Sequence, residues 1–296
     1  MELCNLISLR SMCLGNVKEI FYPVGVERYR LVLWSKVFPS NDGKQGLNPK
    51  DFEIPPDLKN LIKDMNFQKD TKMYNSFMSG QNLLVNCARI GFFDLILELL
   101  QRGVDPSAGN NFAFRAATYN GHIEVVKILC TLEGVDPSVD NNWAFKTASE
   151  NGDIEVVKFL STLECVDPSA GCNYAIRFAT KNEHIEVVKF LSTLKCVNPS
   201  DKDNWAFKTA SENGHIEVVK FLSTLACVDP SAQDNVAIKS ASENGHIEVV
   251  KFLSTLECVN PSAHDNEAIE LASYHGHIEV VKFLKSIGCC LEYDFY

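Results

Sequence analysis

The sequence predicts an all-α protein, a solenoid of stacked helix-turn-helix units. Three observations carry this: a fixed period of 31 residues, two short amphipathic patterns inside each period, and a turn signal that closes it. The segment Val-Asp-Pro-Ser or Val-Asn-Pro-Ser begins at Val104, Val135, Val166, Val197, Val228 and Val259. Self-similarity at such a spacing marks a repeat array whose units bury their apolar sides only against their neighbours. The chain has 296 residues and 46% apolar content, enough to bury a substantial core.

Taken in order, residues 1–75 lack the repeat. Arg28–Phe38 has strand-like content, Asn41-Asp-Gly-Lys-Gln-Gly reads as a loop, and Pro56–Met65 starts with a helix-compatible proline and continues at helical spacing. The fold of this segment stays open, α+β included. Its plainest role is a cap over the first repeat's apolar flank. Residues 76–296 are expected to form the array, one degenerate unit followed by six full ones. The degenerate unit contains Cys87-Ala-Arg-Ile-Gly-Phe-Phe-Asp-Leu-Ile and Leu99-Leu-Gln-Arg-Gly-Val-Asp-Pro.

Within a full unit, Ala206, Phe207 and Ala210 fall on one face of a short first helix. Asn204 is its expected N-cap, with Asn111, Asn142, Asn173, Asn235 and Asn266 in the same place. Gly214 is expected to end that helix at positive φ, and Gly121, Gly152, Gly245 and Gly276 match it. Glu183 breaks the pattern, at a cost of roughly 1 kcal/mol if the left-handed geometry is kept. The second helix follows as His215–Leu225, with Ile216, Val219, Leu222 and Leu225 on one stripe. Glu217 and Lys220 form a solvated i,i+3 pair that recurs along the array. Asp229-Pro-Ser then supplies the turn.

At these residues the sequence resembles the ankyrin repeat family, through A-x-x-x-G-H-x-E-V-V-K-x-L in Ala117–Leu129, Ala210–Leu222, Ala241–Leu253 and Ala272–Leu284. The period is shorter than the common ankyrin unit, and the family's Thr-Pro-Leu-His tetrad is replaced by forms such as Trp143-Ala-Phe-Lys and Val236-Ala-Ile-Lys. The variant style is similar to ankyrin proteins of amoebae and their large DNA viruses. The resemblance implies antiparallel helix pairs with a projecting turn, partners bound on the concave side of first helices and turns, and no enzymatic activity.

Two rows of candidate binding residues follow from the repeat. After the Asn stand Phe112, Trp143, Tyr174, Trp205, Val236 and Glu267; three positions further on stand Arg115, Lys146, Arg177, Lys208, Lys239 and Glu270. The aromatic row either packs between neighbouring turns or forms a partner-binding strip. The basic row either neutralises nearby acids or meets acidic groups of a ligand. The turn residues before each Asn vary most between copies, as in Gly109-Asn110, Lys202-Asp203 and His264-Asp265.

His122, His184, His215, His246 and His277 lie one repeat or more apart, too far for one zinc ion, so they are expected to be structural. The same spacing rules out disulfides within the row Cys165, Cys196, Cys227, Cys258 and Cys289, which reads as small buried thiols. Eleven cysteines without a secretory signal point to a reducing compartment, the cytoplasm or nucleus, or a host cytoplasm for a viral chain. No P-loop, dinucleotide fingerprint, nucleophile elbow or paired metal-binding histidines are present, so no catalytic residue, cofactor, metal or small-molecule substrate is expected.

The formal charge of −10 is uneven: residues 1–77 hold 11 Lys/Arg against 9 Asp/Glu, the rest 17 against 29. An acidic array disfavours nucleic acid and anionic membrane, leaving a protein partner. The expected function is a protein–protein interaction scaffold. The alternative is a substrate adaptor of a ubiquitin ligase, since Ile54-Pro-Pro-Asp-Leu-Lys-Asn-Leu-Ile resembles the opening helix of F-box modules.

Overall fold

A computed structural model describes residues 80–101 and 103–291, all within one compact unit. The expectations for residues 1–75, strand, helix, cap and ligase-recruiting segment alike, lie outside the described residues. Among the described residues there are 14 helices and no strand, arranged as seven consecutive helix pairs. The degenerate pair is α1 (Gly80–Ile90) and α2 (Phe93–Gln101). The six full repeats follow: α3 (Ala108–Tyr119) with α4 (Ile123–Cys130), α5 (Val139–Asn151) with α6 (Ile154–Leu160), and α7 (Ala170–Lys181) with α8 (Ile185–Ser192). Next come α9 (Asp201–Glu212) with α10 (Ile216–Ser223), α11 (Ala232–Glu243) with α12 (Ile247–Leu253), and α13 (Ala263–Tyr274) with α14 (Ile278–Ser286).

Two layers result. First helices stack closely on first helices, and second helices form a looser outer row. Side-chain size explains the difference. Each first helix turns alanines towards its neighbours, Ala113 and Ala117, Ala144 and Ala148, Ala206 and Ala210, all buried, so backbones approach. Between the layers sits one large side chain per repeat, Phe114, Phe145, Ile176, Phe207, Ile238 and Ile269, each at most 1% exposed. The second helix answers with a Val-Val pair and a leucine, such as Val218, Val219 and Leu222, all buried. Ile216 and Leu225 of the expected stripe are only half-buried, as is Phe221 beside it, because the helix ends at Ser223 and its outer side has no third layer.

Each helix pair turns at a left-handed residue. Gly152 has φ 83° and Gly214 φ 76°, as the sequence predicts. Conformation alone does not explain the glycines. A Cβ built on Gly152, Gly214 or Gly245 would lie 2.5 Å from Nδ1 of His184, His246 or His277, the histidine opening the second helix of the next repeat. At these three joints glycine thus answers both the left-handed backbone and the close approach of the histidine ring. Glu183 keeps the left-handed backbone at φ 63°, and its carboxylate sits 3.5 Å from Nδ1 of His215.

These histidines are inter-repeat ties. Nε2 of His122, His184, His215, His246 and His277 lies 2.8–2.9 Å from the carbonyl of Arg89, Glu150, Lys181, Glu212 and Glu243, respectively. A carbonyl only accepts, so Nε2 donates, and the structural role expected from the spacing is the one seen. The second repeat carries Asp153 in this place, and a carboxylate has no proton to give.

Candidate partner-binding face

The turn leading into each first helix contains three consecutive left-handed residues, for example Lys202 (φ 57°), Asp203 (φ 56°) and Asn204 (φ 59°). The same run occurs in all six full repeats. A left-handed residue other than glycine costs about 1–2 kcal/mol, and Asn and Asp tolerate the region best. The sequence answers by placing Asn last in every run.

That Asn was expected to cap its own helix. The structure corrects this: in the six full repeats no side-chain cap bond is formed at the first helix, and the Asn carboxamide reaches forward to the next repeat. Oδ1 of Asn142, Asn173, Asn204 and Asn235 accepts the backbone N–H of Asp167, Asn198, Asp229 and Asn260 at 2.9, 2.8, 3.1 and 2.8 Å. The N–H donating this bond opens the next Asp-Pro-Ser or Asn-Pro-Ser turn. In that turn the acidic oxygen accepts the serine N–H and hydroxyl, 2.9 and 2.7 Å at Asp229 and Ser231. The two serine bonds hold the equivalent Asp105 carboxyl below the usual carboxylate range. Each strained turn is thus fastened to its successor.

On this scaffold the two candidate rows interlock with an offset of one repeat. The Arg115 guanidinium lies 4.5 Å from the ring centroid of Trp143 and pairs with Asp140 at 2.8 Å. Lys146 Nζ lies 5.7 Å from the Tyr174 ring, and the Arg177 guanidinium 4.5 Å from Trp205. Lys239 Nζ meets the Glu267 carboxylate at 2.9 Å. At these four joints a cation of one repeat therefore roofs what the next repeat offers, a π face or a carboxylate. Burial of Lys146 among these neighbours lowers its pKa, opposed by the nearby Asp167.

The middle of the row is the most elaborate. The Tyr174 ring stacks on Phe178 at 3.9 Å, and Phe178 lies 5.9 Å from Trp205. The Tyr174 hydroxyl donates to Glu150 at 2.9 Å. Burial and that bond push its pKa up to about 12. Phe178 was absent from the sequence-predicted row; its signal is that the neighbouring copies place Ser149 and Ser211 two residues further on and small Thr147 and Thr209 at its own position. Phe112, with no cation before it in the full repeats, is 49% exposed. Trp143, Tyr174 and Trp205 are half-buried. Packing between repeats and an exposed edge thus coexist in the same side chains.

The cysteine row needs correction. Cys165, Cys196, Cys227 and Cys258 are exposed, and only Cys289 is buried. They fall after the second helix ends, where the chain leaves the outer layer for the Asp-Pro-Ser turn, and nothing packs over them. Burial does act on Cys130, whose thiol is pushed up to about 12. Among the described residues no group of three or more His, Cys, Asp or Glu is placed to hold a metal ion, and no helix is long and apolar enough to cross a membrane.

Residues 145–234 match the family model described as ankyrin repeats (3 copies). The 31-residue copies and their ties continue on both sides of the matched segment. No curated protein matches the chain.

Proposed function

The chain carries an ankyrin repeat array, and from that premise we propose that it binds a partner protein along the side formed by the first helices and their left-handed turns. One observation carries the reading. Copies that repeat their core and ties nearly letter for letter differ at the roofed row, Phe112, Trp143, Tyr174, Trp205, Val236 and Glu267, and in the exposed turn residues before each Asn. A rigid frame with a variable, half-exposed, aromatic and basic edge is the arrangement from which binding hot spots are made. The partner is a protein; the acidic array, 17 Lys/Arg against 29 Asp/Glu beyond residue 77, supports neither nucleic acid nor anionic membrane. The ligase-adaptor alternative rests wholly on residues 1–75, and a pull-down of that segment without any ligase component overturns it.

Site-specific photo-crosslinking tests the face. Crosslinkers at Phe112, Lys202 and Asp234 report on the first-helix side, and crosslinkers at Glu155, Glu217 and Lys251 on the second helices. Partner adducts are expected from the first set. Adducts confined to the second set would place the partner on the outer layer and end the proposal.

A further inference from the structure

Four of the five cations in the roofed row are committed to the following repeat: Arg115 to Trp143, Lys146 to Tyr174, Arg177 to Trp205 and Lys239 to Glu267. Lys208 is different. The residue offered to it is Val236, which has neither a ring nor a carboxylate, and Lys208 makes no hydrogen bond, ion pair or ring contact among the described residues. Where the preceding joints are filled by Trp or Tyr, a dent opens here, about 160 Å³ including its open side and too shallow to enclose a water molecule. The half-buried Val236 lies at its base above the buried Phe207 and Pro230, with Lys208, Asp203 and Asp229 around it.

We infer that this dent seats an aromatic side chain of the partner protein, a Trp or Tyr, whose ring lies where Trp143, Tyr174 and Trp205 lie in their own joints and turns its face to Lys208. The inference rests on the partner-binding reading above and names the chemistry of one contact in it. Three joints of the same architecture show what fits against such a cation. In each, a half-buried ring sits 4.5 to 5.7 Å from a cation of the preceding repeat, and that cation over its face adds attraction.

A carboxylate is the competing occupant, because the Lys239 joint uses Glu267. The surroundings separate the two. At the Lys239 joint the place of Asp229 is taken by the neutral Asn260, whereas Lys208 has both Asp203 and Asp229 beside it. An incoming acid would meet two like charges there, and a neutral ring meets none.

The test uses the full chain, isotopically labelled, and three probes: N-acetyl-tryptophanamide, sodium acetate and cyclohexylacetamide. The tryptophanamide is expected to shift the Val236 methyl and Lys208 side-chain resonances upfield through its ring current, saturably, with acetate and the cyclohexyl compound giving no comparable response. Lys208→Met is expected to weaken the tryptophanamide about three- to fivefold. Val236→Trp, which fills the dent with the array's own ring, is expected to abolish the response. Acetate acting where tryptophanamide does not, an equal response to the cyclohexyl compound, or an unchanged response in Val236→Trp each overturns the inference. A silent titration with crosslinks still on the first-helix side removes the dent and leaves the binding face standing. Crosslinks confined to the second helices remove both.

Discussion

At the scale of single residues, Asp153 and Gly152 show how much the joints ask of each side chain. Asp153 stands where the other full repeats place a tying histidine, and its oxygen would be 2.7 Å from a Cβ on Gly121. Burial raises its carboxyl above the usual range, against the pull of His184 and His122. A raised carboxyl favours the fold when protonated and loses that contribution as pH rises through its folded pKa. Asp153→Asn should therefore stabilise at neutral pH, and the gain over the parent should shrink as pH falls through the carboxylate range, read from urea midpoints across pH. Asp153→His should add the missing bond to the Tyr119 carbonyl, about 1 kcal/mol. The glycine contact yields a paired prediction. Gly152→Ala should cost about 2–3 kcal/mol, from left-handed strain and collision with His184, whereas Gly276→Ala, with nothing within 4 Å of its Cβ, should cost only about 1 kcal/mol. Equal losses in urea unfolding would mean that the contact carries no weight.

At the scale of elements, helix existence, order and pairing were legible because the period, the Gly break and the helical apolar spacing all act locally in sequence. What escaped lies across the joints. Asn204 was recognised as a special position, yet its acceptor serves Asp229, 25 residues on. Arg115 and Trp143 were placed in two separate rows, since nothing in one copy shows that its cation roofs the next copy's ring. The cysteines were misread because a small thiol after a helix end looks the same in sequence whether or not anything covers it. The Asn tie predicts a measurable element-level effect. Asn235→Ala strips the acceptor from the Asn260 N–H and puts alanine in a left-handed site at φ 62°. A loss of about 2–3 kcal/mol is expected, with amide exchange quickening first around 228–266; uniform quickening over all repeats would show that the tie is not local.

For the molecule as a whole, stability is carried by like joints between neighbours, so opening should be graded along the array. The last repeat exposes Tyr274 at 86% and Ile278 at 65%, whereas the equivalent Ile154, Ile185, Ile216 and Ile247 are half-buried under a following repeat. Hydrogen exchange should accordingly report the smallest opening free energies in α13 and α14 and the largest in α5 to α10. A single cooperative opening of all seven pairs would contradict the additive picture.

The histidine, glycine and asparagine ties repeat almost unchanged, while the roofed row does not. Recombination that drops or duplicates one 31-residue block therefore leaves every fastening matched, yet brings strangers together along the edge. Loss of residues 197–227, for instance, would set Arg177 above Val236 and erase the contact with Trp205. A lineage can in this way redraw what such a protein grips by changing its copy number, without a point mutation and without loosening the frame.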